Sequence, residues 1–186
     1  MNGELEYQGE FKEGKRHGIG ILFGENLKYE GEWKNDQCEG YGIAIFENQE
    51  ILKYEGEVKN DIFEGYGILH YKDGSIYNGE FKDGFSNGFG IKYIVNKEYY
   101  KGQFKDGLYN GYGKICYFDS NKKIKGEFKN DLLEGYGIVN LSNGDTIEGY
   151  WKNGKLNEIA FLYTYKGEKC IKYYEDDDEI FSEKIN

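Results

Sequence analysis

The feature that most constrains this sequence is a motif that recurs along almost its whole length. Each copy opens with an aromatic residue or Ile, then any residue, then Gly, and successive copies start 22 to 25 residues apart. The copies start at Tyr7, Tyr29, Tyr54, Tyr77, Tyr100, Ile124 and Ile147. Such a period is typical of stacked units, none of which buries a core alone. We therefore predict the fold from the repeat, whose opening residue is position 1.

A pair of glycines marks the second half of the motif. The first six copies carry Gly18/Gly20, Gly40/Gly42, Gly65/Gly67, Gly88/Gly90, Gly111/Gly113 and Gly135/Gly137. In the seventh copy, Glu158 and Ala160 stand in these places. We therefore predict six complete repeats and a degenerate seventh.

Each repeat has the pattern of a β-hairpin. Positions 1 to 6 alternate apolar or Gly residues with charged ones, which is typical of a half-buried strand, and positions 12 to 17 form a second apolar run. Between them lie pairs such as Asn35-Asp36 and Asp83-Gly84, which favour turns. The predicted fold is all-β: an elongated, single-layer antiparallel sheet of stacked hairpins.

The predicted register decides which side chains share a face. If positions 7 to 11 form the loop, position 3 faces position 15, position 5 faces position 13, and the odd positions share one face. We expect the sheet to curl so that this face lines a trough, which binds a peptide or helix of a partner protein. The predicted trough residues are Tyr29, Trp33, Tyr41, Tyr54, Tyr66, Tyr77, Phe81, Tyr100, Phe104 and Tyr112.

The two ends differ from the repeats. We predict an N-terminal cap or partial repeat at residues 1–6, repeats over 7–154, a capping hairpin over 155–174 and a disordered acidic tail over 175–186. The start of the sequence has neither a basic segment nor an apolar run, so a cytoplasmic protein is expected, associated with the cytoskeleton or a membrane if it acts as a scaffold there. Edge-to-edge pairing into a homodimer stays open.

Charge is distributed unevenly. The net charge of −10 argues against nucleic-acid binding, but lysines outnumber acids over residues 92–129. A predicted lysine ladder consists of Lys101, Lys105, Lys122, Lys123, Lys125 and Lys129. The ladder is either an ordinary charged surface, a contact for the acidic tail, or a site for an acidic partner or anionic phospholipid headgroups.

The sequence shows no pattern of catalytic or metal-binding residues. Its three cysteines, Cys38, Cys116 and Cys170, occupy unrelated repeat positions, as do its two histidines. The segment Gly9-x4-Gly14-Lys15 lacks the Ser or Thr that a phosphate-binding loop requires next. We therefore expect no enzyme activity, no metal and no cofactor.

The repeated motif resembles the MORN (membrane occupation and recognition nexus) repeat. Its full form is Tyr-x-Gly-x-Trp/Phe-Lys-(Asn/Asp)-(Gly/Asp)-x3-Gly-Tyr-Gly, and it is most complete over residues 29–42 and 77–90. The resemblance implies stacked hairpins in a twisted open trough. It also implies a scaffold, like the family members found in membrane-tethering, flagellar and cytoskeletal proteins. Some family members bind a partner peptide in the trough, and others have been proposed to bind lipid. Departures from the motif are Val58, Ile124, Ile147, Glu158 and Ala160.

Overall fold

The computed structural model describes residues 6–185, and the regular secondary structure within that range consists of β-strands. The chain divides after Val95 into two compact units, each described here by itself. The N-terminal segment predicted at residues 1–6 lies outside the described residues, except for Glu6.

The first unit is an antiparallel sheet whose strands pair in chain order. Over residues 6–95 its strands are β1 (Glu6–Lys12), β2 (Lys15–Phe23), β3 (Leu27–Lys34), β4 (Gln37–Phe46), β5 (Ile51–Lys59), β6 (Ile62–Tyr71), β7 (Ile76–Lys82) and β8 (Phe85–Ile94).

The second unit has the same construction. Its strands are β9 (Glu98–Lys105), β10 (Leu108–Tyr117), β11 (Lys123–Lys129), β12 (Leu132–Asn140), β13 (Thr146–Lys152), β14 (Lys155–Tyr163), β15 (Lys169–Glu175) and β16 (Asp178–Ile185). The predicted all-β fold of stacked antiparallel hairpins is confirmed in both units.

The hairpin turns are shorter than predicted. Lys34 pairs with Gln37, so only Asn35 and Asp36 form the turn, with φ angles of 50° and 72°. Two successive positive φ angles define the type I′ turn, whose twist matches that of the flanking strands. The predicted five-residue loop at positions 7 to 11 is therefore wrong, because the second strand already starts at position 9.

A bulge then shifts the register inside each hairpin. In the second repeat Trp33 pairs with Cys38 but Gly31 pairs with Gly42, so residues 39–41 lie opposite a single residue, Glu32. The Glu32 carboxylate accepts a 2.8 Å hydrogen bond from the Tyr41 backbone N–H. The same bond runs from the backbone of Ile19, Tyr66, Phe89 and Tyr112 to Glu10, Glu57, Glu80 and Gln103. The residue at position 4 therefore stabilises the bulge.

The bulge and the short turn together reverse the predicted face of the second strand. Position 3 pairs with position 14 and not with 15, so even positions of the second strand share a face with odd positions of the first. We call the face with the opening ring the ring face and the other the exposed face. The predicted grouping of all odd positions is wrong: Tyr41 and Ile43 lie on the exposed face with Glu32.

The C-terminal acidic segment forms a further hairpin. β15 and β16 pair around Asp176 and Asp177, which have φ angles of 51° and 76°. The Asp177 carboxylate accepts a 2.6 Å hydrogen bond from the Leu156 backbone N–H, as Asp61 does from Cys38 at 2.8 Å. Residues 176–185, in the segment expected to be a disordered tail, therefore supply the turn and the second strand of this hairpin, which is held by the same bond as the repeats. The strands β14 and β15 also pair with each other.

Candidate interaction surfaces

The glycines of each repeat form a cradle for the opening ring. In the third repeat Tyr54 lies against Gly56 and Gly67, where an added Cβ would come within 2.7 Å of the Tyr54 side chain. The Tyr54 hydroxyl donates to the carbonyl oxygen of Glu57, and the side chain is 0% exposed. The glycines thus bring the ring close enough to the sheet to pair its hydroxyl with the backbone.

Packed rings join successive repeats on the ring face. The Tyr54 ring stacks on the Phe63 ring with 3.7 Å between their centroids. It also packs edge to face with Phe81 of the next repeat, with 5.3 Å between the ring centroids. In the second unit Tyr100 stacks on Tyr109 at 3.8 Å. Each such pair contributes about 0.5–1.5 kcal/mol beyond area burial. Burial raises the pKa of the Tyr54 and Tyr100 hydroxyls, so both stay neutral.

The ten predicted trough residues fall into two groups. Seven are buried in the ring-face interior: Tyr29, Trp33, Tyr54, Tyr77, Phe81, Tyr100 and Phe104. The other three, Tyr41, Tyr66 and Tyr112, lie on the exposed face and are 51%, 64% and 52% exposed. The ten rings therefore do not line one surface, because the bulge separates position 13 from positions 1 and 5.

An apolar groove nevertheless exists on the ring face of the first unit. Its volume is about 460 Å³, and its apolar lining consists of Leu22, Leu27, Tyr29, Trp33, Ala44, Phe46, Val58 and Phe63. Tyr29 and Trp33 are each only 4% exposed, whereas Leu27, Phe46 and Phe63 are half-buried. Sequence reasoning missed these three because the repeats vary at their positions: Leu27 starts β3 in what was predicted to be a connection, and Phe46 and Phe63 are at positions 18 and 10.

Charged and polar groups border this groove. The Arg16 guanidinium lies 4.3 Å from the centre of the Trp33 ring and donates to the Asp36 backbone carbonyl at 2.7 Å. Hydrogen bonds from the Arg16 backbone and side chain lower the pKa of the Asp36 carboxyl. Burial and the nearby Asp61 raise the pKa of the Cys38 thiol to about 12, so this thiol is neutral at physiological pH.

The structure divides the predicted lysine ladder. Lys101 and Lys125 lie on either side of Lys114 on three neighbouring strands, each directly paired with it, and all three are exposed. Lys114 was missed because position 15 was expected on the ring face. Lys123 lies one row away, opposite Cys116, and Lys122 is half-buried with its Nζ 6.0 Å from the centre of the Tyr117 ring.

The remaining two lysines of the ladder lie elsewhere. Lys105 and Lys129 flank hairpin turns and line a polar cavity of about 540 Å³ together with Glu127 and Glu134. Their charges are therefore accompanied by carboxylates.

Comparison with known families identifies the repeat. A family model described as the MORN repeat matches residues 7–26, 29–50, 54–76, 77–97, 100–122, 125–146 and 148–158. This chain belongs to the MORN repeat family. MORN repeats generally take part in protein or membrane interactions and are typically non-enzymatic. No curated protein matches the chain.

The matches agree with the hairpins of the structure. Each of the first six MORN matches contains one two-residue turn and one bulge or register shift. The seventh match ends at 158, although the hairpins continue through β16. Residues 6–185 contain no candidate membrane-spanning helix.

Proposed function

We propose that this MORN-repeat chain is a non-catalytic scaffold that binds an apolar segment of a partner protein in the groove of its first unit. The observation that carries the proposal is a groove of about 460 Å³ whose lining includes half-buried Leu27, Phe46 and Phe63. A cytoplasmic setting, at a cytoskeletal or membrane structure, belongs to the same proposal.

The groove is suited to this role because its floor is already packed. Tyr29 and Trp33 contact each other edge to face at 5.3 Å, and Trp33 Nε1 donates to the Gly20 carbonyl at 3.2 Å. A volume of this size lies within the range of ordinary ligand pockets and accepts a few apolar side chains. A preformed floor reduces the ordering cost of binding.

Replacing Phe46 with Asp should reduce partner capture at least tenfold, because a charge in the groove opposes burial of an apolar segment. Affinity purification from the source cells, with quantitative mass spectrometry, compares wild type with this variant. Tyr165→Ser is the matched control, since Tyr165 is an exposed aromatic residue of the second unit. Equal recovery of the same partners with Phe46→Asp would reject the groove as their site.

A second candidate function is peripheral membrane attachment through the lysine row. It is favoured by the direct cross-strand register of Lys101, Lys114 and Lys125, all exposed and with no carboxylate between them. Each lysine near an anionic membrane contributes about 1 kcal/mol. The candidate requires the protein to bind lipid without any protein partner.

Flotation with liposomes that contain phosphatidylserine tests the second candidate. Wild type should float at about 50 mM salt and be released at about 500 mM, because salt screens exposed charges. Replacing Lys101, Lys114 and Lys125 together with Ser should abolish flotation, while Lys105→Ser with Lys129→Ser should not. Failure of wild type to float at low salt would eliminate the tether and leave the scaffold proposal intact.

A further inference from the structure

The groove of the first unit has an unbalanced set of charges. Among residues 6–185, the charged side chains that line it are Arg16, Asp36 and Asp61. The Arg16 guanidinium is already engaged, because its Nε lies 3.3 Å from the Asp36 carboxylate and its charge lies over the Trp33 ring. Asp61 forms no ion pair with any residue in 6–185, and its carboxylate accepts a 2.8 Å hydrogen bond from the Cys38 backbone N–H. The groove therefore carries one carboxylate without a cation.

The lysines of the surrounding strands lie on the opposite face of the sheet. In β2 to β6 the register places every lysine on the exposed face: Lys15, Lys28, Lys34, Lys53 and Lys59. Two of them form ion pairs there, Lys28 with Glu30 at 3.3 Å and Lys53 with Glu55 at 2.6 Å. Within β2 to β6, Arg16 is thus the only Lys or Arg on the ring face.

The segment that builds the groove is acidic as a whole. Residues 13–63 contain eleven Asp and Glu residues against five lysines and one arginine, a net charge of −5. A surplus of this kind attracts cationic partners and repels anionic ones. In addition, an apolar segment that covered the groove without a cation would move Asp61 out of water unpaired, which costs free energy.

We propose that the partner segment bound in this groove carries a Lys or Arg that pairs with Asp61, next to the apolar side chains that fill the groove. The inference rests on the proposed scaffold function, since it specifies the occupant of the same groove. Acidic segments and segments without charge are disfavoured by the same carboxylate.

The strand register places the basic residue at one end of the bound segment. Asp61 contacts Cys38, which pairs with Trp33 at the turn end of the hairpin, whereas Leu27 pairs with Phe46 at the other end. The six residues of β3 from Leu27 to Trp33 correspond to roughly 20 Å. The Lys or Arg therefore lies within about six extended residues of the apolar side chains that contact Phe46.

Asp131 of the second unit provides the matched control for Asp61. It occupies the same turn position, and its carboxylate accepts a 2.7 Å hydrogen bond from the Tyr109 backbone N–H. It does not line the groove. An Asn side chain keeps an oxygen that can accept the backbone bond, so Asp61→Asn and Asp131→Asn each remove one charge from equivalent turns.

Panning of random dodecamer peptides on phage against the full chain tests the inference, with counter-selection on the Phe46→Asp variant to discard peptides that bind elsewhere. The enriched peptides should combine two or more large apolar residues with a Lys or Arg within about six positions. One enriched peptide is then synthesised with a fluorophore, together with a version in which Gln replaces the basic residue.

Fluorescence anisotropy compares the two peptides on three forms of the chain. Asp61→Asn should weaken binding of the basic peptide at least fivefold and binding of the Gln version less than twofold. Asp131→Asn should leave both affinities unchanged. Rising salt should weaken binding of the basic peptide more than binding of the Gln version, because salt screens an exposed ion pair. Thermal unfolding verifies that each variant retains the fold.

Three results would overturn the inference and leave the groove proposal standing. These are enrichment of peptides without a basic residue, equal weakening of both peptides by Asp61→Asn, and equal weakening of the basic peptide by Asp131→Asn and Asp61→Asn. A library that yields no peptide dependent on Phe46 would instead reject the groove itself, and the inference with it.

Discussion

Replacing Tyr54 with Ala should lower the free energy of unfolding of the first unit by about 3–5 kcal/mol. Tyr54 is 0% exposed, stacks on Phe63 and contacts Phe81 of the next repeat. The substitution leaves a cavity between two repeats and removes the hydroxyl that pairs with the Glu57 carbonyl. Because each repeat depends on its neighbours, the loss should spread to the whole unit.

Tyr66 provides the matched control for this prediction. It has the same side chain and lies in the same repeat, but it is on the exposed face and 64% exposed. Tyr66→Ala should cost less than about 1 kcal/mol. Urea unfolding followed by Trp33 fluorescence in a Trp151→Phe background reports on the first unit. Equal destabilisation by the two substitutions would contradict the assignment of these rings to opposite faces.

Replacing Gly56 with Ala should destabilise the first unit by about 3 kcal/mol or more. An added Cβ would lie 2.5 Å from the Tyr66 carbonyl oxygen and 2.7 Å from the Tyr54 hydroxyl, and would also overlap the Gly67 Cα. Two of these atoms belong to the backbone of the paired strand, so the contact can be relieved only by separating β5 from β6.

Substitutions at two other glycines should destabilise the chain less than Gly56→Ala. Gly14 lies in a turn at φ 76°, and no atom of residues 6–185 comes within 4 Å of an added Cβ. Gly14→Ala should therefore cost only about 1–2 kcal/mol, the cost of a left-handed backbone. At Gly137 an added Cβ would meet the Leu133 side chain at 2.8–3.1 Å. Since Leu133 can shift, Gly137→Ala should cost less than Gly56→Ala. The three variants are compared by urea unfolding, and a Gly56→Ala chain as stable as Gly14→Ala would refute the cradle.

The sequence predicts the repeat, the hairpins and the strand order, because the Asn-Asp and Asp-Gly pairs and the alternation at positions 1 to 6 are local signals. It does not determine the register as directly. Five residues separate the two apolar runs of a repeat. They can form either a five-residue loop or a two-residue turn followed by a bulge, and these two alternatives give different registers. The evidence for the bulge is non-local: Glu32 accepts from the Tyr41 backbone N–H across the hairpin.

This register decides how much of the site could be predicted. Tyr29 and Trp33 were placed correctly on the ring face, but their burial follows from neighbouring repeats, which one motif does not show. Tyr41 was placed on the wrong face by a one-residue difference in pairing, and the same difference puts Lys114, at position 15, on the exposed face. Whether the groove residues and the lysines bind partners stays a prediction.

The C-terminal hairpin was missed for a compositional reason. A run of acids after Tyr174 resembles a disordered tail. Asp176 and Asp177 nevertheless adopt the positive φ angles of the repeat turn, and Asp177 bonds to the backbone of the preceding hairpin. The aspartate in the turn, with its hydrogen bond to the Leu156 backbone, thus favours a hairpin despite the negative charge of the segment.

Nitration of the folded protein by tetranitromethane, with peptide mass mapping, tests most directly the claim that the two sets of rings lie on opposite faces. The structure predicts rapid modification of Tyr41, Tyr66 and Tyr112, which are exposed, and protection of Tyr54, Tyr77 and Tyr100, which are 0% exposed. Protection of Tyr41 and Tyr66 to the same degree as Tyr54 and Tyr77 would contradict it.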